Sequence, residues 1–562
     1  MRPSLWWKHE RNGKGDKMTT DKSLRYLGKP SDQQLVWEGP ENSVRFDSEG
    51  ITKTLLNLDQ PCFAVRREGQ VGLTNEGKPL GLDAGSDDTL ALLSHLPIST
   101  AENLGDQGFR EFHGCKYAYY AGSMAHGISS EELVITLGKK GFLASFGAGG
   151  IPPAELVGTI QRIQQELPRG PYAFNLIHNP FAENLERLAA EMYIKHGVQT
   201  VEASAFMDLT PHIVYYRVAG LSLNPEQGIE IGNKVIAKVS RREVATKFME
   251  PAPDKFLSVL LEQNLITEAQ AQMARQVPMA DDITVEADSG GHSDNRPLVS
   301  LLPSIIALRN EIQQKFGYQQ KIRVGAAGGI GTPESVLAAF IMGAAYVATG
   351  SVNQSCLEAG TSDYVRNLLP QVGMADVCMA PAMDMFEMGG KLQVVKRGTL
   401  FPMRAKKLYE LYGAYKSIEE IPTVEKEKLE KQIFQQSIDA VWKETITFFN
   451  ERDPDQIEKA LSNPRKKMAL IFRWYLGKTS YWANSGEKGR EMDYQVWCGP
   501  SMGAFNDWVR DSYLAQPEQR RVTDVAYHLM NGAAYLFRLQ QLKFQQLVFP
   551  TQFDSYRPFV LL

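Results

Sequence analysis

Two glycine-rich turns are the places where this chain can approach an anion most closely. Gly325-Ala326-Ala327-Gly328-Gly329-Ile330-Gly331-Thr332-Pro333-Glu334 follows one apolar run, and Thr349-Gly350-Ser351 follows the next. Glycine removes the side chain that would hold a ligand away from the backbone. Thr332 suits a helix N-cap, Pro333 the first helical position and Glu334 the first turn. A helix start of this kind directs bare N–H groups at the same spot, a ready phosphate site. Gly147-Ala148-Gly149-Gly150 is a weaker signal of the same sort. No Gly-x-Gly-x-x-Gly opens the first strand–helix unit with an acidic partner about 20 residues on. The expected ligand is therefore a mononucleotide such as FMN and not a dinucleotide.

A third turn, Glu286-Ala287-Asp288-Ser289-Gly290-Gly291-His292-Ser293-Asp294, carries a titratable imidazole behind two glycines. Gly290 and Gly291 would set the backbone against a flat ligand, and His292 could move a proton there. Three further polar residues interrupt apolar runs: Asn175 in Phe174-Asn175-Leu176, Glu202 in Val201-Glu202-Ala203 and Lys238 in Val235-Ile236-Ala237-Lys238-Val239. An amide both donates and accepts, which suits a flavin edge. A lysine facing inward is costly unless it meets an anion or an electron-rich ligand. Metal-ligand spacing is absent: Cys62, Cys115, Cys356, Cys378 and Cys498 are scattered.

The elements that must position these residues follow from the pattern of apolar runs. Eight candidate strands are Tyr117–Ala121, Phe142–Phe146, Tyr172–Ile177, Thr200–Ser204, Val235–Val239, Ile283–Ala287, Ile322–Ala326 and Tyr346–Thr349, with amphipathic stretches between them. Alternating strand–helix units imply parallel strands, and this number in this length implies a (β/α)8 TIM barrel. The glycine turns follow the late strands, where barrels place phosphate sites, which disfavours a doubly wound sheet. The expected organisation is an irregular tail over 1–50, a small β-rich subdomain over 51–112 with a turn at Glu68-Gly69, the barrel over 113–400 and a helical C-terminal domain over 401–562. Asp83 to Asp88 reads as a loop.

The chain has 562 residues, 43% of them apolar, and a net charge of -4, so it can bury a large core and has no electrostatic case for nucleic acid. No apolar stretch is long enough to cross a bilayer, Val336 to Thr349 being the nearest. The first 17 residues are basic without an apolar region, which does not read as a secretory signal, and a second start is available at Met18. Five cysteines, an odd number, argue against a disulfide scaffold and for a cytoplasmic setting. Gly499-Pro500-Ser501-Met502-Gly503 matches the nucleophile-elbow pattern, with Asp524 and His528 downstream. An elbow needs a strand before it in a parallel sheet, and this segment lies in the helical zone, so a turn between helices is expected.

Together these stretches resemble the nitronate monooxygenase superfamily, which includes the flavin-dependent enoyl-ACP reductases. Ala121-Gly122-Ser123-Met124, the Gly147 turn, Phe174-Asn175-Leu176, the Glu286 to His292 turn and Ala326 to Gly350 carry the likeness. Leu58-Asp59-Gln60-Pro61 with Val65-Arg66, Ala382-Met383-Asp384-Met385-Phe386-Glu387-Met388-Gly389 and Lys396-Arg397-Gly398-Thr399 followed by Phe401-Pro402-Met403-Arg404 are similar to the PfaD family of trans-acting enoyl reductases. The resemblance implies an FMN-bearing barrel that takes hydride from NADPH and reduces the double bond of an enoyl thioester. Gly328, Gly329, Gly350 and Ser351 would hold the phosphate. Gly122, Met124, Asn175, Glu202, Lys238, Gly290 and Gly291 would line the flavin, with His292 at the reacting face. Acyl carrier protein domains of a fatty acid or polyketide synthase are the implied partners, and a homodimer is a further expectation. Ser293-Asp294 stands where many nitronate monooxygenases have Arg-Gly, which counts against simple nitronate oxidation. A flavin oxidase and a non-catalytic assembly subunit are the competing readings.

Overall fold

The computed structural model describes residues 23–28, 35–81, 89–179 and 183–561. The expected loop Asp83–Asp88 and the amino-terminal stretch through Met18 lie outside them. One compact unit comprises the chain up to Ser99 together with Phe537–Ser555, and the other comprises Thr100–Leu536 with Tyr556–Leu562.

The first unit is built on an antiparallel five-stranded sheet in the order Gln70–Thr74, Cys62–Arg67, Leu90–Leu96, Val36–Glu38, Lys78–Leu80. The turn at Glu68-Gly69 joins its first hairpin through two left-handed residues, φ 48° and 82°. Trp37, Val44, Phe63 and Val65 form its core. The expectation of an irregular segment through residue 50 needs correction at its end. Val36–Glu38 is a strand of the sheet, and a helix begins at Ser48, capped by the Asp47 carboxylate. A three-residue strand is too short for alternation to register, and its signal rests on the buried Trp37 alone. Buried Arg538 donates to the carbonyls of Asn57, Leu58 and Gln60 at 2.9, 3.2 and 2.7 Å, satisfying the backbone of the turn that follows this helix.

The second unit holds a closed barrel of eight parallel strands. They are β1 (Tyr119–Ala121), β2 (Leu143–Phe146), β3 (Ala173–Ile177), β4 (Thr200–Ser204), β5 (Lys234–Val239), β6 (Asp282–Glu286), β7 (Arg323–Ala327) and β8 (Val347–Thr349). Each lies within two residues of its expected position. The strands are buried on both faces and so read as apolar runs, which is why sequence finds them. Phe109, Tyr120, Leu143, Ile236, Tyr346 and Ala348 belong to one buried cluster, so the barrel is packed through and is not a pore. After the barrel comes a hairpin, Val377–Pro381 and Lys391–Val395, and the short strand Gly291–His292 pairs with Lys391–Val395 to make a three-stranded sheet. Helices follow, among them Phe401–Ala414, Ile438–Arg452, Pro464–Ser485, Ser501–Val509 and Val522–Phe544.

The N-terminal end of the barrel is closed by charge. Arg323, opening β7, grips Asp282, opening β6, through Nε and Nη2 at 2.6 and 2.9 Å, and His113 Nε2 lies 2.8 Å from the same carboxylate. Burial alone would raise the Asp282 pKa, but Arg323 and His113 outweigh it and bring it down to about 2. This contribution to stability is present above the unfolded carboxylate value near ~4 and is lost as pH falls through the folded value. Asp282→Ala leaves the Arg323 guanidinium buried and unpaired, and is expected to cost about 3–5 kcal/mol. Denaturant unfolding near neutral pH measures this loss. The wild-type advantage should shrink as the acid limb is entered, and a loss below about 1 kcal/mol would contradict the assignment.

Candidate active site

The C-terminal ends of the barrel strands gather the polar residues. Glu202 on β4 has no exposed surface and accepts five groups. These are Ser123 N–H at 2.9 Å, Ser123 Oγ at 2.8 Å, Ser204 Oγ at 3.0 Å, the Tyr120 hydroxyl, and Lys238 Nζ at 3.2 Å. Burial would favour the neutral acid, but Lys238 and these donors outweigh it, so the Glu202 pKa lies below the ordinary value. Burial and the Glu202 charge push the Tyr120 hydroxyl well up, so it remains a donor. Lys238 on β5 is 18% exposed and also lies 3.7 Å from Glu286 at the end of β6. Burial opposes its charge, yet the two glutamates raise its pKa. Glu286 itself is raised, chiefly by burial.

Asn175 on β3 joins the same cluster. Its Nδ2 donates to Glu202 O at 3.1 Å and Ser204 Oγ at 2.9 Å. Both amide donor directions are thus engaged within the protein, and the carbonyl oxygen remains on the side of Gly149. Gly122 adjoins the cluster, its N–H donating to Thr349 O at 3.0 Å. Met124 closes the β1 turn through its N–H to Ser129 Oγ at 2.9 Å.

His292 stands at the rim on the strand Gly291–His292, paired with Leu392 and Gln393. Its Nε2 lies 2.9 Å from Asp384 Oδ1, and its side chain remains 40% exposed. Burial works against its charged form. The Asp384 hydrogen bond and charge, with Glu286 beyond, outweigh that and raise the His292 pKa above the ordinary value. Asp384 lies in the turn of the 377–395 hairpin, and Glu387 in the same turn accepts from Lys466 at 3.0 Å and Arg473 at 3.3 Å on the helix Pro464–Ser485. Asp294 beyond the histidine forms a bidentate pair with Arg241, both bonds 2.9 Å, which ties the loop to the end of β5.

The residues after β7 and β8 fit a phosphate-bearing group. The helix Pro333–Ile341 is capped by Thr332, as its sequence implies, and Ser335 completes a capping box. Gly329 has φ 75°, a conformation side chains rarely adopt, and a Cβ there or at Gly350 would meet nothing within 4 Å. This open cradle lies on the same rim as the Lys238 cation. Gly328 instead faces backbone: a Cβ there would come within 2.7 Å of Ala287. Gly290 also departs from its expected use. Its missing side chain faces the backbone of Cys498 at 2.8 Å, so the close approach it permits is made by the protein itself. Ser351 Oγ accepts from Gly499 N–H at 2.9 Å.

The elbow-like Gly499 to Gly503 is thus a turn at the barrel mouth, entering the helix Ser501–Val509. The residues that would complete a triad are otherwise engaged: His528 Nδ1 and Nε2 meet the hydroxyls of Tyr556 and Tyr513 at 2.8 and 3.1 Å, and Tyr513 donates to Asp524 at 3.0 Å. Burial holds the His528 pKa down to about 4. Arg404 is bound to Asp493, which also takes Tyr475 and Arg490. Tyr120, Ser123, Ser204, Glu286 and Asp384 complete the site without having been assigned roles from sequence. For Asp384 the signal was its place in the family-specific stretch; for the others there was only adjacency to strand ends.

Residues 37–97 match the fatty acid synthase subunit PfaD N-terminal domain, residues 108–398 match nitronate monooxygenase, and residues 415–494 match the inserted helical domain of [acyl-carrier-protein] S-malonyltransferase. The chain is 47% identical over 517 residues to a polyunsaturated fatty acid synthase subunit of Thraustochytrium sp., covering 91% of this chain and 34% of that protein. It is 46% identical over 446 residues to polyketide biosynthesis protein PksE of Bacillus subtilis, covering 79% of this chain and 58% of that one. It therefore spans about a third and somewhat over half of these two relatives. The solved enoyl reductase domain of MlnA, from the macrolactin biosynthesis cluster of Bacillus amyloliquefaciens, is 40% identical at a TM-score of 0.75, covering 79% of this chain and 99% of that chain. The chain belongs to the nitronate monooxygenase family, in the branch that carries the PfaD amino-terminal domain, and is an oxidoreductase.

Proposed function

We propose that the chain is an FMN-dependent enoyl reductase that uses NADPH to reduce the 2,3 double bond of an enoyl thioester carried on an acyl carrier protein. The observation that carries this reading is the His292–Asp384 pair, 2.9 Å apart on the rim that holds Lys238 and the glycine cradle. The 40% identity to the enoyl reductase domain of MlnA supports it, as does a fold whose members are generally flavin-dependent. The relatives named as polyunsaturated fatty acid and polyketide biosynthesis proteins support a synthase as the setting. Among the described residues no helix is long and apolar enough to cross a membrane.

Bound in the cradle, FMN supplies the two-electron transfer from NADPH to the substrate β-carbon. The chain's own residues do the rest. Gly329, Gly350 and Ser351 take the phosphate, because the N–H groups of Gly331, Thr332 and Ser335 are already engaged at the helix start. Lys238 places a cation where negative charge grows on reduction, and Glu202 fixes it there. With Nε2 held by Asp384, His292 keeps a proton at Nδ1 for the α-carbon or the thioester oxygen, where addition at the β-carbon builds negative charge. Asp384 keeps that imidazole protonated to higher pH than an ordinary histidine. Of the basic residues near 400, Lys396 and Arg397 are exposed and would meet an acidic carrier surface, Arg397 from its pair with Asp376 at 3.4 Å.

The decisive experiment is a spectrum of the purified chain loaded with FMN, followed by anaerobic NADPH and then a crotonyl thioester. Bleaching by NADPH and recovery by the thioester are expected; recovery by oxygen alone would favour the oxidase. His292→Ala should retain the flavin spectrum and the NADPH step, and slow recovery by thioester about 10²-fold or more. Equal loss of both steps would make His292 a loop prop. Asp384→Asn removes the contact that raises the His292 pKa. The alkaline fall of kcat, where the imidazolium is lost, should move to lower pH; an unmoved limb would separate Asp384 from catalysis. Gly329→Val fills the cradle and should give colourless protein, and FAD released from the wild type would overturn the mononucleotide assignment.

A further inference from the structure

Residues 496–501 lie outside all three matched segments, yet they cross the barrel mouth. Val395 N–H donates to Val496 O at 2.9 Å, Trp497 bridges Val394, and Cys498 N–H reaches Gln393 O at 3.3 Å. The other edge of Lys391–Val395 is occupied along its length by Val377–Pro381, so Trp497 and Gly291–His292 share one edge. Past that edge the segment lies against the loops of three successive strands. A Cβ on Gly499 would come within 2.9 Å of Gly290 N after β6, and one on Gly331 after β7 within 2.4 Å of Ser501 O. After β8, Ser351 Oγ takes the Gly499 N–H. The same hydroxyl also bonds to the Cys498 thiol, so the strap holds Ser351 at two points.

The indole carries a separate observation. The Trp497 ring lies 5.5 Å from the His126 ring, tilted by 30°, and His126 sits in the turn after β1 against Gly150 after β2. Trp497 Nε1 is buried and has no acceptor among the described residues. A buried indole N–H ordinarily finds a partner, and leaving one unmade is unfavourable. The orphan donor sits on the rim that carries the open cradle at Gly329 and Gly350.

We infer that the strap Trp497–Ser501 is a wall of the mononucleotide site, with the Trp497 indole N–H donating to the bound FMN and Gly499 orienting Ser351 for its phosphate. This rests on the FMN reading of the preceding subsection and extends it to a segment from the helical region.

The test measures FMN affinity on the full chain stripped of flavin, with Trp497→Phe as the main variant and Trp474→Phe as the control. Trp474 Nε1 already has an acceptor, Glu444, at 2.9 Å. Trp497→Phe deletes a donor that the flavin-free protein leaves unpaired. Its flavin-free melting temperature should stay level or rise, while FMN binding weakens about tenfold. A merely structural tryptophan would lower the melting temperature instead. Amide exchange in the unaltered chain supplies a readout independent of any variant: residues 496–501 should be slowed on adding FMN. Unchanged affinity in Trp497→Phe, or no slowing at 496–501, overturns the strap assignment while FMN binding by the wild type stands. A wild type that binds no FMN overturns both the assignment and the reading beneath it.

Discussion

The carboxylate of Glu202 has no exposed surface, and a charge so placed must be matched at every oxygen. Much of the barrel mouth follows from that demand. The β1 turn bends so that Ser123 gives both its N–H and its hydroxyl, Tyr120 turns inward from β1, and Ser204 completes the set from β4. Lys238 is then held on β5 between Glu202 and Glu286. The result is a cation fixed on the C-terminal rim with little freedom to move. Such preorganisation is what an active site needs from its charges, because nothing has to rearrange as charge develops.

The second organising feature is the edge of the strand Lys391–Val395. One edge is filled by its hairpin partner, which leaves the other to receive both Gly291–His292 and Trp497. The imidazole, its Asp384 partner in the hairpin turn, and the strap that approaches Ser351 are therefore set by a single piece of backbone. Glu387 anchors the same turn to Lys466 and Arg473. In this way the region after residue 400 bears on the barrel mouth through specific ion pairs and backbone contacts.

The two ends of the barrel divide their labour by burial. At the N-terminal end the Asp282 carboxylate is matched by Arg323 and His113, and the gain is stability. At the C-terminal end His292 keeps 40% of its side chain exposed, so its proton can be exchanged. Charges that are fully matched and closed off serve the fold, whereas charges that are matched on one side and open on the other can serve chemistry.

The sequence by itself determined the barrel, because parallel strands buried on both faces leave apolar runs that need no long-range information to read. It also placed the glycine turns after β7 and β8 and the rim histidine, since glycine and helix-start signals are local. It missed the strand at Trp37, which is too short for a period to form. What only the tertiary structure decided was partnership. Asp384 meets His292 across 92 residues, and Lys238 is fixed by Glu202 and Glu286 on two different strands. Gly290, whose turn suggests room for a ligand, makes room for Cys498 instead. The physical reason is the same in each case. Periodicity and turn chemistry are properties of neighbouring residues, but which buried charge finds which partner, and which strand edge is left open, depends on how distant segments close over one another.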